Sequence, residues 1–224
     1  MLIIKLWGSI FAPKDNNNFD EKYLEKLNKS LSKVYHWNII LIHWTWNIWH
    51  WFVKKFWINK RTFWDYLKVK NNFFWKIDNI FSGYKRVLAR NAIKVWKSLL
   101  HENKNIIIWW DALKNTFQII SSDILFWKLL WEKDNIEIIL TNIDWVIDNK
   151  WEIIKEINLQ ELNKIDFWEN ENDVTGSMKW KLEAIKENLP KNSKWVWLCN
   201  WKKIENIEKI IKYWEGIWTL LVNK

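Results

Sequence analysis

Short apolar runs alternate along the chain with stretches whose apolar residues recur every three or four positions. The runs are LIIKL (2–6), NIILIH (38–43), NIIIW (105–109), IEIIL (136–140), WVWLC (195–199) and WTLLV (218–222). They have the length of strands and little polar alternation, the pattern of strands buried on both faces. Helical spacing covers 20–35, where Asp20 and Glu21 favour the N-terminal end. It recurs at 47–56, at 79–100 through VLARNAIKVWKSLL, and at 122–130 from Ser122 or Asp123. Two more helices are predicted, over 177–188, ending before Pro190, and over 203–212. VIDNKWEIIKEI (146–157) reads as a hairpin around Asn149, Lys150 and Trp151. Strands alternating with helices predict one α/β domain, a three-layer αβα sandwich on a mostly parallel central sheet.

One stretch refuses the pattern. IHWTWNIWHWF (42–52) places Trp44, Trp46, Trp49 and Trp51 beside Thr45, Asn47 and His50. Composition explains why. The chain has 23 Trp and 4 Gly in 224 residues, where average usage of roughly 7% would give about 16 glycines. A domain with this many turns and helix ends needs left-handed backbone positions, which glycine supplies at least cost. The missing glycines and the surplus tryptophans have one common cause if the gene reads UGA as glycine and the written chain translates it as tryptophan. A protein truly rich in tryptophan, such as an aromatic carbohydrate or nucleic-acid binder, is the alternative.

The net charge is +9, with lysines spread along the whole chain and not gathered into an arm. That fits an anionic small molecule, or an AT-biased lysine-rich gene, better than a nucleic-acid partner. No apolar run approaches the ~18 residues of a membrane span, and MLIIKLWGS lacks the long apolar core of a signal peptide. The single cysteine, Cys199, excludes an internal disulfide and reads as a core thiol. These features lead us to expect a cytoplasmic protein with neither membrane nor nucleic acid as partner.

Glycine at the tryptophan positions produces sensible motifs. KLWGSI, IHWTWNIWHW, IIIWWDA, LTNIDWV, LCNWKK and EGIWTLL all place the change at a strand end or turn. The 43–50 stretch becomes a glycine-rich loop that follows a strand and opens a helix. Such a loop lets backbone N–H groups approach an anion closely, and the helix N-terminus adds its dipole.

Read this way, the chain resembles the amino acid kinase superfamily from Ile3 to Val222, and within it the isopentenyl phosphate kinases. The likeness is carried by IIKLWGSIFAPK (3–14), HWTWNIWH (43–50) and NDVTGSMKWK (172–181). It implies an ATP-dependent phosphotransferase that converts isopentenyl phosphate to isopentenyl diphosphate, an isoprenoid precursor. It implies Mg2+ with the ATP, an acceptor lobe over 1–130 and a nucleotide lobe over 131–224. Superfamily relatives are often dimers, so a homodimer is the assembly it allows; no interface is legible in the sequence.

The resemblance also implies roles. Lys5 corresponds to the lysine that binds the transferred phosphoryl group. Lys14 corresponds to a second lysine that stabilises the transition state, and Lys181 to one that meets the β- and γ-phosphates. Trp7, Gly8 and Ser9 match the loop contacting nucleotide phosphates. Asp144, Asp173 and Thr175 match residues around the base, ribose or metal region, and no side chain is assigned as a metal ligand. On the acceptor side stand Trp44, Thr45, Trp46, Trp110 and Asp111, with His50 matching the histidine that holds the acceptor phosphate. His43 ends its strand and reads as structural.

Departures weaken parts of the match. Thr45 and Asn47 replace the usual glycine and serine, Asn142 stands where many relatives carry aspartate, and Ser177 replaces a glycine. The middle section, about 60–120, is shorter than in the family, and the aromatic NNFFWKIDNIF (71–81) is its local substitute. That region helps build the acceptor pocket, which keeps two alternatives open. One is a kinase for another small phosphate or carboxylate, such as a nucleoside monophosphate. The other is a non-catalytic nucleotide- or anion-binding regulator, against which Lys5, Lys14 and Lys181 argue.

Overall fold

Strands buried without alternation need cover on both faces, and the computed structural model supplies it. The structure describes residues 1–6, 20–33, 38–43, 75–102, 104–109, 126, 136–141, 146–167, 178–188, 195–213, 216, 218–222 and 224. The predicted helices at 47–56 and 122–130 lie outside them, apart from Phe126, which is helical and buried.

The central sheet is built from β1 (Leu2–Leu6), β2 (Ile39–His43), β3 (Lys85–Leu88), β4 (Ile106–Trp109), β5 (Ile136–Thr141), β8 (Glu156–Asn158), β9 (Trp195–Asn200) and β10 (Trp218–Val222). Its order is β3-β4-β2-β1-β5-β9-β10-β8. Every neighbouring pair is parallel except β9 and β10, so β10 and its neighbour β8 run against the rest. The described helices include α1 (Glu21–Ser32), α2 (Ala89–Leu100), α3 (Met178–Asn188) and α4 (Glu205–Tyr213).

The expected sandwich is present. One sheet face carries Ile3, Ile40, Ile42, Ile108 and Ile139. It is covered by Ala92 and Leu99 of α2 and by Leu182 and Ile185 of α3. The other carries Leu2, Ile4, Leu6, Leu41 and Leu140, under Leu24, Leu27 and Leu31 of α1 and Ile207, Ile210 and Ile211 of α4. Each such buried side chain contributes about 1.5–3 kcal/mol relative to exposure. Asp20 caps α1 by accepting the Tyr23 N–H at 3.0 Å, which answers one of the helix's free donors. The two outer helices of that face are joined where Ser30 Oγ donates to Glu208 Oε1 at 2.8 Å and Lys33 Nζ lies 3.1 Å from the same oxygen. Burial pushes the Glu208 carboxyl up, but hydrogen bonds from Ser30 and Lys33 win and hold it below its ordinary value.

Two expectations are corrected. Residues 79–100 are not one helix. Residues 75–80 are helical, 81–84 turn, and Lys85–Leu88 form the edge strand β3 before α2 begins. Apolar spacing favoured a helix there because β3 is an edge: Lys85 and Arg86 point outward to Glu102 and Asp78, both at 2.7 Å. Its strand character comes from pairing with β4, as in Val87 against Ile108. Likewise 146–157 is not a single hairpin. β6 (Val146–Ile147) pairs antiparallel with β7 (Ile153–Ile154), as expected, but Glu156–Asn158 leaves to become the outer strand of the main sheet.

Cys199 is fully buried in β9, and burial pushes its thiol well above the ordinary value. A protonated, inaccessible thiol is a poor nucleophile. Alkylation by iodoacetamide at neutral pH is therefore expected only after denaturant is added. Stoichiometric labelling of the folded protein would contradict this burial.

Candidate active site

In a parallel sheet all strands deliver their carboxyl ends to one edge, and in open α/β folds ligands bind in the crevice there. The register shows how level that edge is. Leu6 lies against His43 of β2 and Leu140 of β5, and Thr141 lies against Asn200 of β9. β4 ends beside them at Trp109, whose ring meets His43 edge-on with centroids 4.2 Å apart. Five neighbouring strands thus stop along one line, with β1 in the middle.

Lys5 sits one residue from that line and is 3% exposed. Alternation along β1 puts it on the face of Ile3, the face covered by α2 and α3. An ammonium group this deep requires acceptors or an anion around it. Lys181 is in the first turn of α3, the helix lying over the same sheet face. Both basic positions and a helix N-terminus, with its partial positive charge, thus belong to one side of the sheet. His43, 1% exposed and packed on Trp109, is a core histidine as expected.

The other sequence-selected residues lie outside the described residues. Trp7, Gly8, Ser9 and Lys14 belong to the segment after β1, and Trp44, Thr45, Trp46 and His50 to that after β2. Trp110 and Asp111 follow β4, Asp144 follows β5, and Asp173 and Thr175 precede α3. In the chain, the first four groups come after β1, β2, β4 and β5, which stop on the carboxyl edge.

The sequence places LCNWKK at a strand end or turn, but gives Asn200 and Lys202 no part in the site. Asn200 Oδ1 accepts the Lys202 N–H at 2.9 Å, and the Trp201 N–H donates to the Thr141 carbonyl at 2.8 Å. This clamps the ends of β5 and β9 together and leaves Lys202 next to the edge, its ammonium 5.7 Å from the Trp201 ring centroid. Thr141 and Asn200 are polar residues that close their strands, β5 being apolar before Thr141 except for Glu137, and both are buried. Among the described residues no three His, Cys, Asp or Glu side chains come together in a way that could hold a metal ion.

An eight-stranded, mostly parallel sheet in this order with helices on both faces is the amino acid kinase fold. Among solved structures, the chain is similar to an isopentenyl phosphate kinase in its substrate complex, with a TM-score of 0.69, 16% identity and 99% of each chain covered. It is also similar to the UMP kinase of Ureaplasma parvum, with a TM-score of 0.60, 14% identity, and 99% of this chain and 98% of that one covered. The N-acetylglutamate synthase of Neisseria gonorrhoeae shares the fold over 59% of its own length, at 9% identity and a TM-score of 0.66. No protein-family model and no curated sequence matches the chain.

Proposed function

We propose that the chain is a small-molecule kinase that transfers the terminal phosphoryl group of ATP to isopentenyl phosphate. In the step, the bond between the γ-phosphorus and the β,γ-bridging oxygen breaks and leaves ADP. A new bond forms between that phosphorus and an oxygen of the acceptor monophosphate, giving the diphosphate. Two anions must be brought together, so catalysis depends on positive charge and dipoles around the moving group. Lys5 carries the proposal: a buried lysine at the end of the central strand, on the carboxyl edge of this fold. Its ammonium would neutralise charge on the transferred group. Lys14 would stabilise the transition state and Lys181 would meet the β- and γ-phosphates. Mg2+ enters only as the ion that accompanies ATP and neutralises its phosphates.

The acceptor lobe, 1–130, would present the 44–50 loop and His50 to the acceptor phosphate, and 131–224 would hold the nucleotide. His50→Ala is then expected to raise the apparent KM for isopentenyl phosphate about tenfold or more, the loss of one charge-assisted hydrogen bond, with a smaller change in kcat. An unchanged KM would remove His50 from the site. The similarity to a UMP kinase over nearly the whole chain favours a second reading, in which the acceptor is a nucleoside monophosphate. Coupled ADP-release assays with isopentenyl phosphate and UMP, each with ATP, separate the two. ATP binding without turnover on either acceptor would indicate a regulator instead.

A further inference from the structure

Three tryptophans occupy positions that suit glycine, for reasons visible in the backbone and the core. The clearest is Trp151, with φ of 65°, the one positive-φ residue other than glycine among the described residues. It closes the β6–β7 hairpin. The Asp148 N–H donates to the Glu152 carbonyl at 3.0 Å and the Trp151 N–H to the Asp148 carbonyl at 3.1 Å. Asp148 Oδ1 accepts from the N–H groups of Lys150 and Glu152, each at 2.9 Å. This is a three-residue loop: a turn over Asp148–Trp151 whose last residue is left-handed and lets the strands re-pair. Glycine is the residue that geometry favours, because any Cβ crowds the neighbouring carbonyl in the left-handed region. Trp151 itself is 67% exposed, so its large apolar ring gains little from burial.

Trp201 and Trp218 show a different misfit. Each has an indole N–H that is buried and has no hydrogen-bond acceptor. A buried tryptophan N–H ordinarily finds a partner, and one left without it is destabilising. Trp201 directly follows Asn200 in the tight turn that clamps β5 to β9. Trp218 opens β10 two residues after Gly216, whose φ is 135°.

We infer that positions 151, 201 and 218 are glycine positions whose codons have been translated as tryptophan. The inference uses none of the kinase chemistry and stands or falls apart from it.

The direct test is tandem mass spectrometry of peptides spanning 148–155, 198–204 and 216–222 from protein made in its own host, with the matching codons read from the gene. Glycine in all three peptides, from UGA codons, is expected. Tryptophan at 201 or 218 overturns the inference for that position, and tryptophan at 151 overturns it entirely. A second measurement uses recombinant chain. Trp151→Gly is expected to raise the folding equilibrium constant about threefold, the left-handed strain relieved less the extra chain entropy of glycine. Lys150→Gly, one residue earlier and not at positive φ, is expected to lower it. A loss of stability in Trp151→Gly would overturn the conformational argument.

Discussion

A chain with glycine at positions 44, 46 and 49 is expected to phosphorylate isopentenyl phosphate with ATP, while the same chain with Trp44, Trp46 and Trp49 shows no turnover. The loop follows β2, which ends at His43 on the carboxyl edge beside β1. A loop there can serve a phosphate only if its backbone N–H groups face the anion at hydrogen-bond distance. Left-handed positions cost a residue with a Cβ roughly 1–2 kcal/mol each. Indole rings would also fill the space the phosphate oxygens need. Removing one backbone or side-chain donor from a site of developing charge costs about 2.7–4 kcal/mol. Losing two would already slow turnover by roughly four orders of magnitude. Two recoded genes, differing only at these positions, assayed for ATP-dependent product formation, measure the effect. Equal rates would show that the loop does not hold a phosphate through its backbone.

The second large effect is expected at Lys5. Lys5→Met keeps the length and apolar packing of the stem and removes only the charge, so the sheet should survive. In the glycine-restored protein kcat should fall about a hundred- to a thousandfold, the range for deleting one electrostatic contact made in the transition state. KM for the acceptor should move far less, since the charge acts mainly on the moving group. Lys181→Ala should show the same pattern from the nucleotide side. A kcat within a few-fold of the parent, in protein whose circular dichroism and thermal midpoint match it, would take Lys5 out of the chemistry.

Both expectations rest on residues that are conspicuous in the sequence alone. Lys5 interrupts an apolar strand, and a lone charge in such a run needs a reason. The carboxyl edge was legible because five of the apolar runs, ending at residues 6, 43, 109, 140 and 199, are followed by turn-forming residues once the tryptophans are read as glycine. The clamp between β9 and β5 was not, because it is made by the Trp201 N–H donating to the Thr141 carbonyl, and local pattern carries no information about such a pairing.

Period and composition determined the class of fold. Unbroken apolar strands at this spacing can be satisfied only by a sheet covered on both faces, and that requirement is local to each run. The β6–β7 hairpin, Val146 to Ile154, was legible in the same way, since its turn residues sit between two short apolar arms. Tertiary structure decided three other matters. It made Lys85–Leu88 a strand, since an edge strand with two outward charges has helix-like spacing and owes its identity to the partner at Ile106–Trp109. It took Glu156–Asn158 out of the hairpin, because β10 offered an unpaired edge that a residue-level pattern cannot display. It also brought the ends of β4, β2, β1, β5 and β9 into one line, although they are spread from residue 6 to residue 200 along the chain. Strand order and register set which ends become neighbours, and these come from long-range pairing, on which the local sequence is silent.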